Sequence, residues 1–303
     1  GWADVWSMLP DPMRNSTVPD NHMPYFLPLS SSQVSPDLER RTVLGGLTLL
    51  ATGCAQPLIS GESVPTPSWV SRGRLRVAIN HGNAVLARRD AATGELSGVS
   101  VDIARELART LNLSVDLIAF DAANKSVEAV RDGHADVGFF AIDPLRSVGL
   151  QFTAPTVIIE GAYVVPEASP LSSASEVDRA GLRIAVATRS AYDLFLSRQI
   201  QHATLVRTTR SDQVVDLMLS QRLDVAAGVK QQLEQDMKRV PGLRMLQPSF
   251  MQIQQAMATA ETHPDDVRYL RRFVERLKAS GFIHQALSRH RIEGVAVAPL
   301  QPQ

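Results

Sequence analysis

Cysteine is nearly missing from this chain: its 303 residues include one, Cys54. That count excludes an internal disulfide framework and any multi-cysteine metal site. Neither sign of charge is in surplus, because Lys+Arg and Asp+Glu both total 31. A nucleic-acid partner calls for a basic surplus or basic runs, and the chain has neither. No apolar stretch reaches the roughly 18–20 residues that a bilayer-crossing helix needs. Gly-rich phosphate loops are missing, the seven histidines are scattered, and no His/Asp/Glu grouping has metal-ligand spacing. The expectation is therefore no metal and no cofactor. What remains is a 44% hydrophobic chain, long enough for two lobes of about 100–150 residues each. That describes an α/β or α+β protein acting on small molecules.

Residues 1–36 read as a disordered or non-native arm, since prolines at 10, 12, 19, 24, 28 and 36 interrupt every apolar period. Residues 37–54 have the pattern of an export signal. The charged Asp37-Leu38-Glu39-Arg40-Arg41 precedes an apolar run that ends in small residues and Thr52-Gly53-Cys54. Arg40-Arg41-Thr42-Val43-Leu44 resembles the core of a twin-arginine signal, and Thr52-Gly53-Cys54 a bacterial lipoprotein box with Cys54 as the acylated residue. The alternative is a buried helix with an incidental cysteine. Residues 55–72 are a polar, Pro-rich linker.

From Arg74 onward, strand-like and helix-like segments alternate. Residues 75–79, 115–120 and 135–141 read as strands, with helices capped at Ser100 and starting at Lys125 between them. The same grammar recurs in strands 182–187, 205–207 and 224–229, with helices 192–200 and 213–219. Strands apolar on both faces and separated by helices predict a parallel sheet covered on both sides. The extended runs 158–165 and 251–257 are expected to cross between lobes. Pro264 opens a helix with the apolar stripe Val267, Leu270, Phe273, Val274 and Leu277, and Gly281 ends it. Arg131 to Val137 and Ser220 to Val225 occupy equivalent places, each a helix end, a polar turn and an Asp-Val strand start. Phe139 and Phe140 read as core.

Five landmarks then occur in order: Gly98 to Ala104, Gly133 to Val137, Ile142-Asp143-Pro144-Leu145-Arg146, Phe152-Thr153-Ala154-Pro155 and Ala279-Ser280-Gly281-Phe282. With these, the chain from about Gly73 to Pro299 resembles the extracytoplasmic solute-binding proteins of ABC importers, family 3, of the polar amino-acid type. The resemblance implies a type II periplasmic-binding fold. Lobe 1 would hold residues 73–163 and 254–303 and lobe 2 residues 164–253, each a mainly parallel sheet flanked by helices, the two joined by crossover strands. It also implies a monomer in the periplasm that delivers a small carboxylate-bearing solute to permease subunits of the inner membrane.

By the same resemblance Arg146 grips the solute carboxylate, its guanidinium offering two parallel donors. Ala141, Ile142 and Asp143 lead up to it. Asn80, His81 and Asn83 form the polar turn after the first strand, and Ala187, Ser190 and Ala191 surround the second-lobe turn, where a helix N-terminus suits anions. The departures from the family concern the other end of the ligand. The aspartate that usually meets an ammonium aligns with Val229, followed by Lys230. The ligand end that carries positive charge thus faces a sign change, and the expectation is an organic anion or an atypical amino-acid derivative. Two rivals share the fold. One is a cyclohexadienyl-dehydratase-like enzyme using Glu160 or Asp143 as general acid, the other a solute sensor. The reading favoured is binding without catalysis.

Overall fold

The two-lobed architecture starts from a repeated clip at the base of each sheet. In the computed structural model, which describes residues 65–301, strand β1 (Arg74–Asn80) and strand β5 (Val137–Ala141) lie side by side and parallel. Asp136, just before β5, accepts the Arg76 backbone N–H at 2.8 Å, and its own N–H returns to the Arg76 carbonyl at 2.8 Å. In the second lobe, β7 (Arg183–Ala187) and β9 (Val225–Val229) are joined in the same way. Asp224 accepts the Arg183 N–H at 2.7 Å and returns its own N–H to the Arg183 carbonyl at 3.0 Å. The recurring Asp-Val start seen in the sequence is thus a strand-to-strand clasp. The arm 1–36, the signal with Cys54 and most of the linker lie outside the described residues.

Between these strands run β2 (Arg88–Arg89), β3 (Leu96–Ser97), α1 (Val99–Thr110), β4 (Ser114–Phe120) and α2 (Ala123–Arg131). After β5 come β6 (Leu150–Pro166), β7, α3 (Ala191–Gln199), β8 (Thr204–Thr208), α4 (Val214–Ser220), β9 and α5 (Lys230–Arg239). The chain closes with β10 (Leu243–Met245), β11 (Met251–Ala260), α6 (Pro264–Ala279), α7 (Phe282–Arg289) and β12 (Ala296–Val297). The strand order is β4-β1-β5-β11-β6-β9-β7-β8. β1 is parallel to β4 and β5, and β7 to β8 and β9. β6 and β11 run antiparallel to each other and carry the sheet from one lobe to the other. β6 is 17 residues long, twice the run expected from sequence.

Two apolar clusters separate the lobes. Leu75, Val77 and Ile79 of β1 pack with Ile103 and Leu107 of α1 and with Leu270, Phe273, Val274 and Leu277 of α6. Ile184 and Val186 of β7 pack with Tyr192 and Leu196 of α3 and Met218 of α4. Each such fully buried side chain contributes about 1.5–3 kcal/mol. The stripe expected on α6 is buried throughout, so α6 and α7 return to lobe 1.

Two local readings are corrected, and the buried face of α3 is added. Ser100 does not cap α1: the cap is Gly98, whose φ of 122° brings the chain into the helix early and leaves Ser100 buried in the first turn. α2 begins at Ala123, before Lys125. On α3 the inward face is Tyr192, Asp193 and Leu196, while Leu194 and Phe195 are only half-buried.

Candidate binding cleft

A cavity of about 200 Å³ lies where the strand ends of the two lobes face each other, the usual place for a ligand in open α/β sheets. It is smaller than the roughly 300 Å³ at which drug-sized pockets begin, so it suits a small metabolite. Lobe 1 lines it with the turn after β1, the end of β5 and Arg146, and lobe 2 with the start of α3, Val229 and one face of α5.

Arg146 stands in the loop after β5, in a turn that Asp143 organises by accepting the N–H groups of Leu145 (2.9 Å, side chain) and Arg146 (3.0 Å, carbonyl). Its side chain is 5% exposed. The guanidinium donates to two neutral acceptors, the carbonyls of Ala141 at 3.4 Å and of Arg189, across the cleft, at 3.1 Å. Burial pushes its pKa down to about 10, opposed by the nearby Asp143 carboxylate and helped by the Arg189 charge. It remains a cation at neutral pH with donors to spare.

Opposite Arg146, Ser190 is the N-cap of α3 and accepts the Asp193 N–H at 3.1 Å. Arg189 before it adopts a left-handed φ of 56°, the conformation for which glycine is the usual residue. Asp193 places a buried carboxylate in the same first turn, and Arg207 neutralises it at 3.0 Å. The helix end therefore stays compatible with an anion.

Of the residues singled out in the sequence, Asn80, Asn83, Ala141, Arg146, Ser190 and Ala191 line this cavity, and His81, Ile142, Asp143, Ala187 and Lys230 do not. The Lys230 ammonium is 2.7 Å from Glu160 on β6, so its charge is spent within the protein. Asp143 is turned toward Arg198 of α3, at 2.7 Å. The Ala187 side chain packs in the lobe 2 core and Ile142 faces outward at 39% exposure. His81 donates its N–H to the Phe120 carbonyl at 2.9 Å, and burial together with Arg89 lowers its imidazole pKa. Val229 lines the cavity.

Sequence reasoning missed Gln255 of β11 and Gln231 of α5. Gln231 donates across the cleft to the carbonyls of Glu293 (3.3 Å) and Gly294 (3.0 Å). Phe139 and Phe140 are core, as expected, and also reach the cavity wall. Among the described residues no group of three or more His, Cys, Asp or Glu is placed to hold a metal ion. No helix among them is long and apolar enough to cross a membrane.

Solved structures share this fold at low identity. A binding component of an ABC transporter from Wolinella succinogenes, complexed with lysine, is 19% identical, with a TM-score of 0.65 over 74% of this chain and 97% of that one. The solute receptor for L-cysteine of Neisseria gonorrhoeae is 21% identical, with a TM-score of 0.65 over 73% and 91%. An ancestral amino-acid-binding protein, a precursor of cyclohexadienyl dehydratase, is 16% identical, with a TM-score of 0.63 over 73% and 96%. No curated protein shows a significant sequence match. The sequence profile of the bacterial extracellular solute-binding proteins, family 3, matches residues 75–291. With that profile spanning both lobes and the crossover strands, the chain belongs to the family 3 bacterial extracellular solute-binding proteins.

Proposed function

We propose that the protein is the solute-capturing component of an ABC importer and that its solute carries a carboxylate held by Arg146. The supporting observation is the Arg146 guanidinium itself: 5% exposed, on the cavity wall, and bonded only to neutral carbonyls. The nearby Asp143 carboxylate offsets part of the cost of burying this cation, and a bound anion that accepts its free donors would offset more. The other charges around the cavity lean the same way, with Arg88, Lys238 and Arg291 against Glu234 and Glu293. Amino acids bound by structural relatives make an amino-acid-like carboxylate a reasonable class of solute, with Val229 in place of the ammonium's usual counter-charge.

The reading without catalysis is supported by the state of the two acids a dehydratase would recruit. Glu160 is ion-paired with Lys230, whose hydrogen bond holds its carboxyl below the usual range. Asp143 is ion-paired with Arg198. A general acid needs a proton retained near neutral pH, the opposite of what the Lys230 hydrogen bond imposes on Glu160. The same proposal includes a monomer working outside the cytoplasm, exported through the signal at residues 37–54 and tethered by acylated Cys54.

Isothermal titration of the ligand-stripped protein against a panel of organic anions and amino acids tests the proposal. Carboxylates are expected to bind and Arg146→Met to abolish the heat. Turnover of prephenate or arogenate would establish the enzyme instead.

A further inference from the structure

Along β11, residues two apart share a face. Ile253 and Met257 on one such face are 1% and 0% exposed and belong to the lobe 1 core. Between them the pattern calls for another apolar side chain, and the chain instead places Gln255 there, 6% exposed. Its backbone is fully employed: it pairs with Ala141 and Val157, and its carbonyl accepts the Thr156 hydroxyl at 2.9 Å. Gln255 lines the cavity, and its side-chain amide makes no hydrogen bond to another described residue. The ladder to β6 slips between Gln255 and Ala256, where the extra residue, Thr156, lies on β6, while the register of β11 with β5 is unbroken. Gln255 is also the cross-strand neighbour of Ala141, the residue whose carbonyl receives Arg146 at 3.4 Å. Gln255 and Arg146 thus line one cavity and are connected through Ala141.

We infer that Gln255 is a specificity-determining residue that reads an uncharged hydrogen-bonding group beside the solute's carboxylate, making 2-hydroxy and 2-oxo carboxylates the preferred class. This rests on the carboxylate reading above. A carboxamide offers donors and an acceptor, so it serves a hydroxyl from both sides and a keto oxygen by donation. An ammonium needs an anionic acceptor when buried. Here Glu160 is taken by Lys230, and the lining carboxylates Glu234 and Glu293 are exposed. A cavity-wall amide that meets a ligand group becomes a discriminator against analogues lacking that group.

The experiment is calorimetric titration of the ligand-stripped full chain with two matched series: lactate, pyruvate, propionate and alanine, and the corresponding hydroxy, oxo, unsubstituted and amino acids of the leucine skeleton. In at least one series the hydroxy or oxo acid is expected to bind roughly tenfold or more tightly than the plain and amino acids. Gln255→Leu is expected to erase that advantage. Gln255→Glu is expected to swing preference toward the amino acid, a gain that misfolding cannot imitate. An unchanged ranking in Gln255→Leu, or an amino acid as the best ligand of the native chain, overturns the inference while binding that still requires Arg146 keeps the carboxylate reading. Binding that is indifferent to Arg146→Met, or no binding by any acid, overturns both. Should Gln255→Leu fail to fold, the Gln255→Glu ranking decides, and no swing counts against the inference.

Discussion

Asp143 of lobe 1 and Arg198 of lobe 2 form an ion pair across the cleft, 2.7 Å long, with the aspartate side chain 6% exposed. A second bridge, Arg189 to Glu128 at 3.2 Å, crosses the same seam. Both exist only while the lobes are together, so they weight the closed conformation. Arg198→Gln leaves Asp143 buried without its cation. Solute affinity is expected to fall by about 1 kcal/mol, roughly fivefold. Small-angle scattering of the solute-free variant is expected to show a larger radius of gyration. Identical scattering and affinity would remove this pair from lobe closure.

Arg146→Met is expected to cost about 3 kcal/mol of binding, near a hundredfold, because two charge-assisted bonds are lost together. Its thermal midpoint is expected to match or exceed that of the native chain, since a buried cation is replaced by an apolar side chain of similar length. The pH profile has a definite sign. The free guanidinium titrates at about 10, and only its charged form attracts a carboxylate. Affinity is therefore expected to be level from about pH 6 to 9 and to fall as pH rises through that value. Titration at pH 7 and pH 10.5 measures both effects.

Lys230→Met tests whether this lysine touches the solute. Because Glu160 holds its ammonium, affinity is expected to stay within about twofold of native. Both partners are partly exposed, so the loss in melting temperature should be small, about 1–2 °C. Glu160 has its pKa lowered by the Lys230 hydrogen bond, and Lys230 has its pKa raised by Glu160. The carboxylate contribution is present above the ordinary glutamate value and disappears as pH falls through the lowered one. The ammonium contribution is present below the ordinary lysine value and disappears as pH rises through the raised one. The native advantage is thus expected between about pH 5 and 10 and to vanish in acid. Melting curves of both proteins across that range check it.

Gly98→Ala is expected to destabilise lobe 1 by about 3 kcal/mol. Gly98 has a φ of 122°, and a Cβ there would come 2.6 Å from the Leu86 carbonyl oxygen and 2.8 Å from the Ala87 Cα. Both contacts are backbone, so no side-chain rotation relieves them. The Leu86 carbonyl also anchors the Ser100 N–H at 3.0 Å. Urea unfolding measures the loss, and a stability equal to native would disprove the close approach.

Much of the fold was legible because its signals are local. The α6 stripe at 267, 270, 273, 274 and 277 needs only helical periodicity, and all five residues are buried. The apolar runs of β5 and β9 give their strands in the same way. Ser100 was misread because a serine before an apolar period looks like a cap, whereas the φ of Gly98 moved the helix start. The 17-residue span of β6 was half-hidden because Thr153 and Thr156 look like loop residues. They are buried and bonded instead, Thr153 to the Ala154 carbonyl and Thr156 to that of Gln255.

The candidate site divides along the same line. By itself the sequence determined the alternation of strands and helices, the family to which they add up, and the placement of Arg146 after β5. Each depends on residue type and spacing along the chain. Only the tertiary structure decided that Lys230 belongs to Glu160, that Asp143 belongs to Arg198, and that Gln255 lines the same cavity as Arg146. Those pairings join residues 70, 55 and 109 positions apart in the chain. Charge and hydrogen-bond partners are chosen by distance in space, which lobe packing sets and one-dimensional periodicity does not encode.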